Sequence, residues 1–188
     1  TLVAVEPVSS GRVHPRLGDP ECECTQVKVP RRVFFNRVPK CGSTTMEAYI
    51  AAARRLHSFR FRRSPDFTHQ HLSNKQRQGF VKFFSSNPPP FLYDRHLHFI
   101  RFEEFGRTSP VYINLVRDPV GMHVSDFYYH RECVCSVRAD WCANEWHLRS
   151  NVYCNQTIDE AYATRNDIAP TPGFLTTFFC GHDKECVG

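Results

Sequence analysis

Strand-like and helix-like patterns of hydrophobic residues alternate along the middle of the chain. Residues 32–36 form a short β-branched and aromatic run that predicts a buried strand. Residues 44–56 carry alanine and leucine at helical density, and residues 111–116 predict a second strand that leads into a helix over about 120–129. Strand, turn and helix in this order are typical of βαβ units. The pattern therefore predicts an α/β fold in which helices flank a parallel sheet.

The remaining segments carry weaker patterns. Residues 68–84 predict a further helix, which a run of three prolines ends, and residues 92–100 predict an extended segment. The cysteine-rich residues 131–170 show no periodicity, so we assign no regular structure to them. Residues 1–30 are rich in proline, glycine and small polar residues. We interpret them as an extended lead-in to one domain over residues 31–188.

The amino-acid composition indicates a folded protein and the kind of cellular compartment in which it folds. The 188 residues are 41% hydrophobic and 13% aromatic, which is enough apolar surface for a core and makes disorder the weaker interpretation. Nine cysteines are many for a cytosolic enzyme of this size, and they lack the CxxC doublets of zinc sites, so disulfides are favoured over a metal. A glycosylation sequon at Asn155 agrees with a secretory compartment. Together these features favour an oxidising lumen.

Positive charge is concentrated in one part of the chain. The formal net charge is +5, and five arginines lie close together, namely Arg54, Arg55, Arg60, Arg62 and Arg63. Such a cluster attracts a polyanion, and charge alone allows either nucleic acid or a sulfated glycan. The alternative interpretation is a solvated helix end followed by an exposed turn.

The segment between the first strand and the first helix, residues 39–45, has the chemistry of a phosphate-binding loop, and we call it the lysine loop. Gly42 lets the backbone come close to a ligand, the helix start offers N–H groups, and Lys40 adds a full charge. Hydroxyl donors follow at Ser43, Thr44 and Thr45. The GxxxxGK[ST] framework of a Walker A loop is absent, which disfavours a kinase. The alternative is an ordinary helix start capped by Ser43 or Thr44, with Glu47 completing a capping box.

The second clear strand also ends in a candidate anion site, the arginine loop at residues 117–119. Arg117 can bind a phosphate bidentately, and Ser125 lies one or two turns into the following helix, within reach of the same group. The alternative is a local ion pair between Arg117 and Asp118, with Pro119 simply opening the helix. Because ligands collect at the carboxyl ends of parallel strands, the two loops are expected to act together.

The two loops together resemble the 5′-phosphosulfate and 3′-phosphate loops of sulfotransferases that use 3′-phosphoadenosine 5′-phosphosulfate (PAPS). Wider stretches resemble the polysaccharide uronyl 2-O-sulfotransferases, namely residues 36–43, 95–99, 102–106, 111–119 and 179–182. The likeness is greater to the dermatan/chondroitin uronyl 2-sulfotransferases and their Pipe-like relatives than to heparan sulfate 2-O-sulfotransferase. It implies a P-loop-like sulfotransferase fold that transfers a sulfuryl group from PAPS to the 2-hydroxyl of uronic acid in a glycosaminoglycan, without a metal.

The resemblance also implies residue roles. The donor-binding set is Lys40, Cys41, Gly42, Ser43, Thr44, Thr45, Arg117 and Ser125. Lys40 would stabilise charge on the bridging oxygen, and Arg37 would face the acidic sugar. His96 corresponds to the family's general base, a task that suits a side chain whose ordinary pKa lies near working pH. His98 is the rival base and a candidate substrate contact. Without the resemblance, His96 would be one of ten histidines and more often structural.

Further expectations follow from the resemblance. They are a Golgi-lumenal, single-pass type II membrane protein whose anchor lies outside this chain, a Cys180–Cys186 disulfide and a free thiol at Cys41. Family members continue beyond the segment at 179–186, so we expect the domain to be incomplete at its C-terminus. An acidic polysaccharide rather than nucleic acid is the expected partner, and some relatives are homo-oligomers. The alternatives are a heparan sulfate 2-O-sulfotransferase and a catalytically silent glycan-binding relative.

Overall fold

The computed structural model describes residues 2–3, 32–66, 70–135, 154–164 and 173–182. Five strands form one sheet: β1 (Leu2–Val3), β2 (Arg32–Asn36), β3 (Arg60–Arg63), β4 (Phe91–Arg95) and β5 (Val111–Leu115). Their order is β1-β5-β2-β4-β3. Strands β2 to β5 are mutually parallel, whereas β1 pairs antiparallel with β5. The predicted α/β fold with a parallel sheet is confirmed.

The helices lie between and after these strands. They are α1 (Ser43–Leu56), α2 (Asn74–Ser86), a 3-10 helix (Phe102–Phe105), α3 (Pro119–Cys135), α4 (Ile158–Thr164) and α5 (Phe174–Cys180). Helix α2 begins later than predicted because Ser73 and Gln76 form a capping box that fixes its start. In the part of the chain that the structure describes, no helix has the length and apolar character needed to span a membrane.

Two segments differ from what the sequence indicates. The arginine-rich residues 60–63, for which an exposed turn was one of two interpretations, form the edge strand β3, in which Phe61 is half-buried and the three arginines are exposed. The cysteine-rich segment contains regular structure after all, since α3 continues to Cys135 and α4 follows. Thr157 caps α4 by exchanging hydrogen bonds with Glu160.

Disulfides fix the end of α3. Cys135 is bonded to Cys154, with an S–S distance of 2.02 Å, and Cys133 and Cys180 are also disulfide-bonded. Cys186, the predicted partner of Cys180, lies outside the described residues. The sequon residue Asn155 is exposed beside the Cys135–Cys154 bridge. The prediction that Cys41 is a free thiol is confirmed, and the side chain is buried.

Two apolar clusters fix the positions of the elements. On one face of the sheet, the fully buried Phe34 of β2 contacts aromatic rings from α2, β4 and β5, which belong to Phe80, Phe84, Tyr93 and Tyr112. A second cluster joins Val38 and Cys41 to Met122 of α3 and Phe178 of α5. The lysine loop is therefore packed directly against the helix that follows the arginine loop.

Candidate active site

A cleft of about 690 Å³ opens where β2, β4 and β5 end. It is lined by eight of the predicted site residues, which are Arg37, Lys40, Gly42, Ser43, Thr44, His96, Arg117 and Ser125. The parallel strands account for this convergence, because their carboxyl ends meet at one edge of the sheet. Three predicted residues do not line the cleft. The Cys41 side chain points from the lysine loop into the second apolar cluster, Thr45 is exposed on α1, and His98 is buried elsewhere.

The backbone of the lysine loop turns sharply at two residues. Lys40 has φ of 60° and Gly42 has φ of 89°, both in the left-handed region. Gly42 occupies the N-cap position of α1 and provides no side-chain cap. The predicted cap by Ser43 or Thr44 and the capping box with Glu47 are therefore wrong, because a residue without a side chain holds the capping position. The N–H groups at the start of α1 are left available for an anion.

The Lys40 ammonium lies over an aromatic ring. Its Nζ atom is 3.5 Å from the centroid of Tyr129, which α3 contributes to the cleft. Burial lowers the pKa of Lys40, the nearby Asp126 carboxylate opposes this shift, and Arg117 adds to it. The cation–π contact holds the ammonium at the wall of the cleft between the two loops.

The arginine loop begins α3. Asp118 accepts a hydrogen bond from the Gly121 N–H at 2.6 Å, and Pro119 is the first helical residue. Gly121 leaves room for this arrangement, because a Cβ at that position would lie 2.5 Å from Asp118 Oδ2 and 3.1 Å from Arg117 Nε. Asp118 therefore serves as a cap, while the exposed Arg117 lines the cleft.

His96 follows β4 directly and is held by a backbone contact. Its Nδ1 atom lies 3.1 Å from the Arg37 carbonyl oxygen. Because a carbonyl can only accept, Nδ1 carries the proton in this hydrogen bond and Nε2 is the basic nitrogen. Burial, and then the positive charge of Arg37, lower the pKa of His96 to about 4. The imidazole is therefore neutral at physiological pH.

Arg37 belongs to a buried ionic network below the cleft. Its guanidinium pairs with Glu47, lies 3.8 Å from Asp94, and donates to Ser43 Oγ at 3.3 Å. Glu47 also pairs with Arg63 at 3.1 Å. Two carboxylates thus compensate two guanidinium groups. The positive field of the cleft therefore comes mainly from Lys40, Arg117 and the start of α1.

His98 belongs to a separate histidine cluster. Its Nε2 donates to Thr177 Oγ1 at 3.2 Å, since that hydroxyl donates its own proton to the Phe174 carbonyl. The His182 ring lies 5.4 Å away and accepts a hydrogen bond from the Leu72 N–H. These contacts bind α5 to the segment after β4, which is a structural arrangement.

Several cleft residues were missed in the sequence. Helix α3 contributes Asp126, Tyr129 and His130 in addition to Ser125, and β3 contributes Arg63. The sequence contains a signal for the α3 residues, because helical positions four apart lie on the same face. Tyr129 is four positions after Ser125, and His130 is four positions after Asp126. Arg63 belongs to the arginine cluster, and its charge alone does not indicate that it lines the cleft.

The buried Asp94 gives a test of this network. Complete burial raises the pKa of Asp94 to about 6, and Arg37 opposes the shift only in part. The folded protein then binds this proton more tightly than the unfolded chain. The stability that Asp94 contributes is therefore greatest below the unfolded pKa of about 4 and is lost as the pH rises through about 6. We expect Asp94→Asn to be more stable than the wild type at about pH 8, by on the order of 2 kcal/mol.

Urea unfolding of both proteins between about pH 5 and 8 measures this difference, which should narrow as the pH falls. Glu47→Gln is the matched comparison, because it removes the carboxylate that contacts both arginines and should destabilise the protein. An Asp94→Asn protein that is less stable than the wild type at pH 8 would show that the ion pair with Arg37 outweighs the cost of burial.

Comparison with known proteins agrees with this geometry. The sequence profile of the Sulfotransferase family matches residues 26–168. The chain belongs to this family. It is 29% identical to Homo sapiens uronyl 2-sulfotransferase over 166 residues, and 36% identical to the Drosophila melanogaster uronyl 2-sulfotransferase homolog pip over 111 residues. It is 33% identical to Xenopus laevis heparan sulfate 2-O-sulfotransferase 1 over 162 residues.

These alignments cover most of the chain but less than half of each relative. The alignment with the Homo sapiens protein covers 84% of this chain and 39% of the relative. The alignment with pip covers 58% of this chain and 20% of the relative, and the one with the Xenopus laevis protein covers 82% and 43%. The resemblance to the uronyl and heparan sulfate 2-O-sulfotransferases that the wider stretches around the two loops indicate is confirmed.

Proposed function

We propose that the protein transfers a sulfuryl group from PAPS to the 2-hydroxyl of a uronic acid residue in a glycosaminoglycan, with dermatan and chondroitin as the favoured acceptors. The observation that carries this proposal is the meeting of two cationic loops and a neutral histidine in one cleft. The matches to uronyl 2-sulfotransferases support the choice of reaction and acceptor.

The residues of the cleft fit the anionic groups of the donor. Lys40 and the uncapped start of α1 suit the phosphosulfate end, and Arg117 with Ser125 suits the 3′-phosphate. Apart from Gly42 and its two neighbours in the chain, no described atom lies within 4 Å of the position that a Gly42 Cβ would take, so the loop is open to a ligand. When bound, PAPS supplies the sulfuryl group that is transferred.

His96 is the proposed general base. Its Nδ1–H bond to the Arg37 carbonyl fixes the ring and makes Nε2 the nitrogen that can take the proton of the acceptor hydroxyl. Lys40 would stabilise the negative charge that develops on the bridging oxygen of the donor. Positioning and electrostatic stabilisation by these two side chains are expected to provide most of the rate enhancement.

Arg37 is proposed to act on the acceptor side. Its guanidinium reaches Ser43 of the lysine loop, and its carbonyl holds His96, so one residue connects the donor-binding loop and the base. Because Glu47 and Asp94 compensate its charge, Arg37 is better suited to directional hydrogen bonds than to general attraction of an acidic chain.

Localisation is proposed from the relatives and the cysteines together. Disulfides at Cys133, Cys135, Cys154 and Cys180 agree with an oxidising compartment. We propose that the protein acts in the Golgi lumen as part of a type II membrane protein. Heparan sulfate is the second candidate acceptor, and the identity to the Xenopus laevis enzyme favours it.

The test uses the full-length lumenal protein with radiolabelled PAPS and desulfated dermatan, chondroitin and heparan chains offered side by side. We expect label on the 2-position of uronic acid, most rapidly with dermatan or chondroitin. Preference for heparan would instead support the second candidate. A folded protein that binds 3′-phosphoadenosine 5′-phosphate but labels none of the chains would contradict the proposed acceptor class. A folded protein that neither labels any chain nor binds the nucleotide would contradict the assignment of the two loops as donor-binding elements.

A further inference from the structure

A second groove lies on the other side of β3 from the cleft. It has a volume of about 410 Å³ and runs between α2 and the strands β3 and β4. We call it the α2 groove and define it by Arg62, Gly79, Phe83, Tyr93 and Arg95, which are among its lining residues. The α2 groove lies on the face of the sheet that α2 covers, whereas the proposed active site lies where the strands end, so the two are separate.

The edge strand β3 connects the two depressions. Side chains alternate across a strand, and accordingly Arg63 lines the cleft whereas its neighbour Arg62 lines the α2 groove. Both arginines are exposed, and β3 is the last strand of the sheet. An extended ligand that leaves the cleft at Arg63 therefore has to cross only the width of one strand to reach Arg62.

The lining of the α2 groove combines aromatic surface with cationic charge. The guanidinium carbon of Arg62 lies 4.9 Å from the centroid of the Phe83 ring, and Tyr93 forms part of the floor. Arg95 is paired with Asp66 at 2.6 Å, so Arg62 provides most of the charge in the groove. Lys75 and Lys82 are exposed on the adjacent face of α2 and add to the positive field.

Charged residues on an edge strand also prevent unwanted pairing with other strands. That role explains why the arginines of β3 are exposed. It does not explain a groove with an aromatic floor and an arginine held above it, which is a combination suited to carboxylate and sulfate groups on a ring-containing polymer.

We propose that the α2 groove binds a stretch of acidic polysaccharide distant from the reacting sugar, with the chain crossing β3 between Arg63 and Arg62. This inference rests on the proposed function, because it takes the acceptor to be an acidic polysaccharide. The groove would then favour long acceptors over short ones without contributing to the chemical step.

The test compares binding of a dermatan tetrasaccharide and a dermatan polymer to the full-length protein in the absence of donor. Arg62→Ala removes the charge, and Gly79→Leu fills the groove, since nothing lies within 4 Å of a Cβ built at Gly79 and leucine suits a helix. Arg107→Ala is the matched control, because Arg107 is an exposed arginine that lines neither depression.

We expect both groove variants to raise the Kd for the polymer by about three- to fivefold, the size of one exposed ionic contact, and to leave the tetrasaccharide unaffected. Arg107→Ala should change neither Kd. Equal polymer affinity in wild type and both groove variants would overturn the inference, and so would equal weakening by Arg107→Ala. Failure of the wild type to bind either ligand would instead contradict the proposed function.

Discussion

Replacing Lys40 with glutamine should lower the rate of sulfuryl transfer by about 10³-fold while leaving binding of 3′-phosphoadenosine 5′-phosphate much less affected. Lys40 is the cationic side chain of the lysine loop, and the Tyr129 ring holds its ammonium at the wall of the cleft. A charge held there matters most when negative charge develops on the donor. The product nucleotide keeps the bridging oxygen in its 5′-phosphate, but the contacts proposed for Arg117, Ser125 and the start of α1 also hold it. Its binding should therefore weaken much less than the rate of transfer.

Initial rates and calorimetric nucleotide binding, measured on the same preparations, separate the two effects. Arg107→Gln is the matched control, because Arg107 is an exposed cationic residue that lines neither the cleft nor the α2 groove. If Lys40→Gln transferred sulfate at close to the wild-type rate, the lysine loop would be a binding element only. The stabilising charge would then have to come from the start of α1 or from Arg117.

The features that the sequence predicted are those with a local cause. The strand at 32–36, the helix that follows it and the arginine loop are each encoded by neighbouring residues. A strand that ends in a basic loop before a helix predicts a ligand site, since parallel strands bring their carboxyl ends to one edge. Eight predicted residues line one cleft for that reason.

The features that were missed depend on contacts between distant residues. Glu47 has the spacing of a capping-box residue, but its carboxylate pairs with Arg37 and Arg63 instead. His96 and His98 are two positions apart in a segment predicted to be extended, so the sequence places both side chains on the same side and does not distinguish them. In the structure His96 lines the cleft, whereas His98 contacts Thr177 of α5. Strand β3 was missed because three arginines in four residues conceal its single half-buried aromatic residue.

Replacing His96 with alanine should reduce transfer by about 10²- to 10⁴-fold, the usual contribution of a positioned general base, without loss of nucleotide binding. The imidazole lines the cleft and is fixed by the hydrogen bond from its Nδ1 to the Arg37 carbonyl oxygen. His57→Ala is the matched control, because His57 is exposed at the end of α1. An active His96→Ala protein would reassign the base, and Asp126 and His130 would then be the candidates in the cleft.

The pH dependence of kcat/KM tests the same histidine without a mutation in it. Since burial and Arg37 lower the pKa of His96 to about 4, the base stays unprotonated from about pH 8 down to 5, and the rate should fall only below that range. A histidine at its ordinary pKa of about 6.5 would lose activity across that same range. Asp94 must be separated from this effect, because its pKa of about 6 lies within the range. A decline near pH 6 that disappears in Asp94→Asn therefore belongs to Asp94, whereas one that persists contradicts a neutral, buried His96 as the base.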